Sequence, residues 1–226
     1  MTFILTNDDG IDAPGLQALR NAVGDNSVIV APQEQYSGCS HQITRGVAIA
    51  IQRRSDTAYA INGTPADCTR VAATHLCPQG TWVLSGINAG GNLGADLYVS
   101  GTVAAVREAA LLRLPGIAFS HYIHRRRPIN WERATQLTVQ VLDRLLGLPQ
   151  KPGCFWNVNL PHLGDDDPPP NLVFCSCCTQ PLPTEFEVVD QQFRYTGEYG
   201  DRVHDPNSDV AVCFGGNVAI SQVCLW

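Results

Sequence analysis

Six short runs of this chain are apolar almost from end to end, and that lack of alternation narrows the fold more than any other feature. They are Thr2–Thr6, Ser27–Pro32, Ala58–Ile61, Thr81–Ser85, Gly116–Ser120 and Cys154–Leu160. A strand with one wet face alternates polar and apolar residues, whereas an unbroken run has both faces covered, as in a parallel sheet flanked by helices. Helical patterns lie between the runs. Pro14–Val23 places Leu16, Leu19, Ala22 and Val23 on one face, Thr64 starts a helix running to about His75, an Ala-rich helix covers Thr102–Leu112, and Trp131–Leu146 carries Leu137, Val141 and Leu145 as a buried stripe. Strand alternating with helix predicts an α/β fold with a mostly parallel sheet.

The pattern changes near residue 163. Residues 164–170 are acidic and proline-rich, and later segments such as Phe186–Val189 and Asn217–Ile220 alternate in β fashion. The chain therefore divides into a core over residues 1–162 and a β-rich extension with hairpins over 163–226, an arm able to pair with its own core or with a neighbouring subunit. With 44% hydrophobic and 16% charged residues, the chain buries enough apolar surface to offset its ordering entropy. A net charge of -6 with Lys151 as the single lysine argues against binding nucleic-acid duplexes, although arginines can still hold single phosphates. No apolar run is long enough to span a bilayer. The opening MTFILTNDDG lacks the features of a signal peptide, so the nine cysteines are expected as thiols in a reducing cytoplasm. Cys175, Cys177 and Cys178 lack a second spaced Cys or His pair for a zinc site.

In open α/β sheets ligands bind at the carboxyl ends of the strands, and the polar loops of this sequence fall there. Asn7-Asp8-Asp9-Gly10 follows the first run; adjacent carboxylates repel, and a hard divalent cation keeps both ionised. A plainer reading makes one of them a helix cap and Gly10 a turn residue. Tyr36-Ser37-Gly38-Cys39-Ser40-His41 follows the second run and offers hydroxyl ligands and a proton donor, or is simply a polar loop. Ser85 to Gly94 supplies Asn88 and Asn92 among glycines that let a ligand approach the backbone. Ser100-Gly101-Thr102 opens a helix, as does Gly63-Thr64-Pro65-Ala66-Asp67; each is a phosphate cradle or an ordinary N-cap. Arg125–Arg127 reads as a solvated turn. Neither a Gly-x-Ser-x-Gly elbow nor a P-loop is present.

Taken in order, Ile4–Leu16 with its Asn-Asp-Asp-Gly, Ala31-Pro32 with Ser37-Gly38 and His41, Asn62–Cys68, Ser85–Asn88 with Gly91–Gly94, and Ser100–Val103 resemble the SurE family of survival-protein nucleotidases. The likeness is dense over residues 1–120 and returns at Asn157–Pro161 and in the segment from Asp209 to Ser221. It implies a Rossmann-like three-layer fold, a phosphatase hydrolysing nucleoside 5′-monophosphates, with 3′-monophosphates and short polyphosphate left open, and a homodimer or homotetramer built through an exchanged arm. It also implies one divalent cation per subunit, Mg²⁺ or Mn²⁺, on Asp8, Asp9, Ser37 and Asn88, with Asn92, Ser100, Gly101 and Thr102 holding phosphate. Val99 and Ser40 depart from the family pattern, and neither change touches a cation ligand.

The expected chemistry is hydrolysis by an activated water, with Asp9 as base and His41 protonating the leaving oxygen; direct attack by Asp8 is the alternative. Two other classes compete. A zinc de-N-acetylase also carries an Asp-Asp pair but needs histidine ligands, and a nucleotide-binding module would bind without turnover.

Overall fold

The structure is a computed structural model describing residues 1–164 and 167–226; Asp165 and Asp166, in the acidic proline-rich stretch, lie outside the described residues. In chain order the elements are β1 (Phe3–Thr6), α1 (Pro14–Val23), β2 (Ser27–Pro32), β3 (Ile51–Ser55), β4 (Ala58–Ile61), α2 (Pro65–Val71), β5 (Trp82–Ala89), α3 (Gly101–Leu111), β6 (Gly116–His121), α4 (Trp131–Leu145), β7 (Cys154–Leu160), β8 (Leu172–Phe174), β9 (Phe186–Val189), β10 (Gln192–Tyr195), α5 (Asp209–Phe214) and β11 (Val218–Cys224). All six apolar runs are strands. The helix expected to reach His75 is α for its first part only, and Ala72–Leu76 continues it as a π-helical turn.

One sheet of nine strands runs in the order β3-β4-β2-β1-β5-β6-β7-β11-β8. The six strands from β4 to β7 are mutually parallel, while β3 and β11 run antiparallel to their neighbours β4 and β7. Successive residues of each central strand go to opposite faces. Leu5, Ile29, Leu84, Ile117 and Phe119 join the core formed with α1 and α4, whereas Ile4, Val30, Val83 and Ala118 join the core under α2 and α3. Two apolar faces explain why the runs show no alternation. The chain winds outward from β1 through β2 to β4, then returns to start β5 on the other side of β1, so strand order reverses between β1 and β5. Such a reversal leaves a crevice at the carboxyl ends of the two strands.

The extension is not a separate appendage. Strand β11 pairs along its length with β7, and β8 pairs with β11, so these strands finish the core sheet, while β9 and β10 form a separate two-stranded hairpin. Within the extension read as β-rich, Asp209–Phe214 is a helix, which Ser208 caps by accepting from Ala211 N at 3.4 Å. Cys154 and Cys224, paired across β7 and β11, form a disulfide, and the other seven cysteines are free, so the expectation that all nine are thiols fails at this pair. Among the described residues no helix is long and apolar enough to cross a membrane.

Gly15 fixes how closely the start of α1 approaches β5. A Cβ at this position would stand 1.9 Å from the carbonyl oxygen of Ile87, far inside van der Waals contact. The obstacle is backbone, so no rotamer relieves it. Gly15→Ala is expected to cost about 3 kcal/mol or more, read as a lower urea-unfolding midpoint at unchanged slope; an unchanged midpoint would mean that α1 stands clear of β5.

Candidate active site

Strand β1 delivers Asn7, Asp8 and Asp9 into the crevice. Asn7 Nδ2 donates to Gly10 O at 2.8 Å and closes the loop. Asp8 is 5% exposed. Its main-chain oxygen accepts from Tyr36 N at 2.7 Å, which ties the loop after β2 to the end of β1, and its Oδ1 accepts from the Thr102 hydroxyl. Helix α3 comes this close because residue 101 is glycine: a Cβ there would lie 2.8 Å from Asp8 Cβ. Asp9 is half-buried, with Oδ2 3.4 Å from Ala89 N and Oδ1 3.5 Å from Gln35 Nε2. The same Gln35 nitrogen donates to Ser37 Oγ at 2.7 Å, so one amide spans Asp9 and Ser37. Asn88, at the end of β5, donates from Nδ2 to Gly90 O at 2.9 Å.

No cationic side chain comes within 4.0 Å of Asp8 or Asp9 among the described residues. Burial, with a smaller contribution from the Asp9 charge, pushes the Asp8 carboxyl up to about 6 against the opposing hydrogen bond from Thr102. Burial raises Asp9 as well, opposed by the Ala89 N–H. Two carboxylates held side by side and both made reluctant to ionise form an anionic site without a protein counter-charge.

The expected phosphate-holding residues divide. Ser100 Oγ accepts from Val103 N at 3.1 Å as the N-cap of α3, and the Thr102 hydroxyl is engaged by Asp8, so the backbone N–H groups of Gly101 and Thr102 are what the helix start offers an anion. Asn92 is locked. Its N donates to Asn159 Oδ1 at 2.8 Å, its O accepts from Asn157 Nδ2 at 2.8 Å and Asn159 Nδ2 at 3.0 Å, and its Nδ2 donates to Ser120 Oγ at 2.8 Å. His41 turns away from the carboxylate pair: its Nε2 lies 2.8 Å from Glu108 Oε2, and Glu108 is two turns along α3 from Gly101, about 10 Å down the helix axis.

Sequence reasoning missed Gln35, Glu108, and the pair Asn157 and Asn159. The signal was there for three of them: Glu108 is a lone charge on the buried face of an Ala-rich helix, and the asparagines are alternate residues inside an apolar strand. Also missed were braces from the extension. Arg202 Nη1 donates to Asp96 Oδ2 at 3.0 Å, Tyr199 OH donates to the same oxygen, and Asp209 accepts from Gly94 N at 2.8 Å and Cys178 N at 2.7 Å. Among the described residues no three His, Cys, Asp or Glu side chains group as a metal centre; in the cysteine cluster burial pushes the Cys177 thiol up to about 11. A cavity of about 790 Å³ is lined by Cys175, Cys177 and Cys178 and by Gly94, but by none of Asp8, Asp9, Ser37, His41, Asn88, Asn92, Ser100, Gly101 and Thr102.

The family model described as Survival protein SurE matches residues 3–181. A Nostoc sp. protein with a provisional 5′-nucleotidase name is 56% identical, the alignment covering 99% of each chain. The Burkholderia lata protein named 5′-nucleotidase SurE 1 is 39% identical over 70% of this chain and 63% of its own length. The crystal structure of the SurE protein from Aquifex aeolicus superposes with a TM-score of 0.86 at 28% identity, covering 100% of this chain and 94% of that one. Shared sequence across the core and shared topology from end to end lead to one conclusion: the chain belongs to the SurE family.

Proposed function

We propose that the chain is a 5′-nucleotidase, hydrolysing nucleoside monophosphates to nucleoside and phosphate with one divalent cation per subunit. The observation that carries this reading is the uncompensated Asp8–Asp9 pair facing the start of α3 across the sheet's switch point, together with the 5′-nucleotidase names of its relatives. The donor set fits a hard cation: two carboxylates, the Ser37 hydroxyl and the Asn88 amide oxygen, all oxygen. Bound there, Mg²⁺ or Mn²⁺ would neutralise phosphate oxygens and make a water more acidic.

The residues of the chain then divide the work. The N–H groups of Gly101 and Thr102 receive phosphate oxygens and hold the charge that builds on them. Thr102 fixes the Asp8 carboxyl with its hydroxyl, which supports an orienting role for Asp8 over direct attack. Asp9, raised in pKa and half-open to solvent, takes the proton of the attacking water. Asn92, expected to touch phosphate, serves by holding the glycine-rich loop on β6 and β7. His41 supports the site as a strap: with Nε2 on Glu108 it secures the Ser37 loop to α3. The β9–β10 hairpin exposes Phe186, Val188, Phe193 and Tyr195, which supports an arm that packs on a second copy in a homodimer or homotetramer.

Phosphate release from AMP and GMP, with and without EDTA, tests the central claim. Cation-dependent release is expected, and tight nucleotide binding without release would make the chain a binding module instead. A second test reads stability. The folded Asp8 carboxyl holds its proton up to about pH 6 against an ordinary value of 3.8, so its neutral form favours the fold. As pH rises through that window the cation-free protein loses about 3 kcal/mol at this site. In EDTA, Asp8→Asn is expected to unfold at higher urea than wild type at pH 7 but not at pH 4, while being inactive; equal midpoints at pH 7 would show that burying this charge costs nothing. For His41→Ala the strap role predicts a loss recovered by excess Mn²⁺. A proton-donor role predicts a fall in kcat of about a hundredfold that Mn²⁺ leaves unchanged.

A further inference from the structure

A cavity of about 750 Å³ lies beside the candidate active site, walled by the turn after β6, the segment Glu198–Asp201 and α5. Its position follows from strand register. Asn88 pairs with Ser120 and Ala89 with His121, so Tyr122, which continues the ladder by donating to Leu160 O at 2.9 Å, stands one strand across and two residues beyond Asn88, about 8 Å away. From the other side, Tyr199 brings its hydroxyl to within 3.3 Å of where a Cβ on Gly91 would be. The cavity thus begins where the glycine-rich loop ends.

We propose that this cavity is the subsite for the nucleoside part of the substrate; the proposal rests on the nucleotidase reading and adds to it where the leaving group sits. Three features of the wall carry it. The half-buried Phe214 ring is backed by the buried Tyr122 ring, with centroids 4.6 Å apart, which gives the wall an aromatic group of the kind on which bases stack. Arg125, Arg126, Glu198 and Asp201 line the same space, and none of the four forms an ion pair among the described residues. Two positive and two negative groups cancel, so the cavity does not select a second phosphate; it suits a neutral ligand rich in donors and acceptors, with guanidinium groups for ring nitrogens and carbonyls and carboxylates for hydroxyl and amino groups. Finally, Arg125 and Arg126 both adopt left-handed backbone, with φ of 50° and 56°. They are the central pair of a tight turn closed by Arg127 N donating to His124 O at 3.2 Å, so one exposed turn carries both arginines at the cavity wall.

The neighbouring alternative is a recess of about 320 Å³ beside Tyr36 and Asn62, which lacks a stacked ring pair. The test compares kcat/KM for AMP, GMP and UMP with that for glycerol 2-phosphate, a phosphomonoester without base or ribose, in wild type, Arg126→Ala, Glu198→Gln, Phe214→Leu and Tyr36→Ala. The nucleotide-to-glycerol-phosphate ratio is expected to fall about tenfold or more in the first three variants and to hold in Tyr36→Ala. A ratio that holds in those three, or falls only in Tyr36→Ala, overturns the subsite. Calorimetry with adenosine separates the two claims. Adenosine binding by wild type that Arg126→Ala abolishes, without phosphate release from any ester, supports the subsite while overturning the nucleotidase reading; AMP cleavage with adenosine affinity equal in both proteins overturns the subsite alone.

Discussion

A carboxylate taken almost wholly out of water beside a second carboxylate is the constraint on which the rest of this molecule turns. Asp8 keeps its place at the end of β1 because it is bonded from two directions, by the main chain of Tyr36 and by the hydroxyl of Thr102. Those bonds bring the loop after β2 and the start of α3 to one point. Gly101 is the steric condition for that approach, since any side chain would meet Asp8. What the bonds leave out is a positive partner. The backbone dipoles at the start of α3 supply part of the missing charge, and the all-oxygen surroundings leave the remainder to a ligand. Stability lost at this point is what makes it chemically useful, because a site already neutralised by its own lysine or arginine would have no attraction left for a cation.

Sheet architecture explains why the constraint can be met here and nowhere else along β1. Both faces of the central strands are buried by helices, so polar side chains open to a ligand gather at strand ends. Of those ends, the pair formed by β1 and β5 alone faces a gap where the winding direction reverses. Side chains from β1, from the loop after β2 and from β5 therefore face a common space although they are up to eighty residues apart in sequence. Asn157 and Asn159 extend this order one strand further, since they hold Asn92 from inside a strand whose other residues are apolar.

The sequence disclosed the central strands and the loops of the site because each is a local signal: an apolar run, then a turn with acidic, hydroxyl or glycine residues. It disclosed less where the determining partner is remote. Strand β3 is exposed along its length and has no core face to imprint a pattern. The helix at Asp209 was obscured because it has only 6 residues and is apolar from Val210 to Phe214, too short to show a helical period, while its cap, Ser208, is one residue among many polar ones. His41 looked like a proton donor from its place in a site loop, yet its partner Glu108 is 67 residues away, and only the packing of that loop against α3 joins them. Arg125–Arg127 is the solvated turn its sequence indicates, but nothing near it in sequence tells that the segment around residue 200 lines the same cavity.

That remote segment belongs to the extension, which also braces the site loop. Arg202 is buried, with its guanidinium on Asp96 and on the carbonyl of Leu93, and Asp209 reaches the backbone of Gly94. A buried ion pair is a weak source of net stability, because desolvating both charges consumes most of the attraction. Its effect is on geometry: removing either member would leave an unpaired buried charge, so the alternatives to this arrangement are strongly disfavoured. The charges here fall on the stretch between Asn92 and Ser100, the segment that links the end of β5 to the start of α3. This stretch is a short 3-10 turn over Gly94–Tyr98 that follows the glycine-rich loop, and an ion pair with several hydrogen bonds from the far end of the chain selects one conformation for it. The core therefore supplies the chemical groups, while the extension reduces the freedom of the loop that must hold them in register.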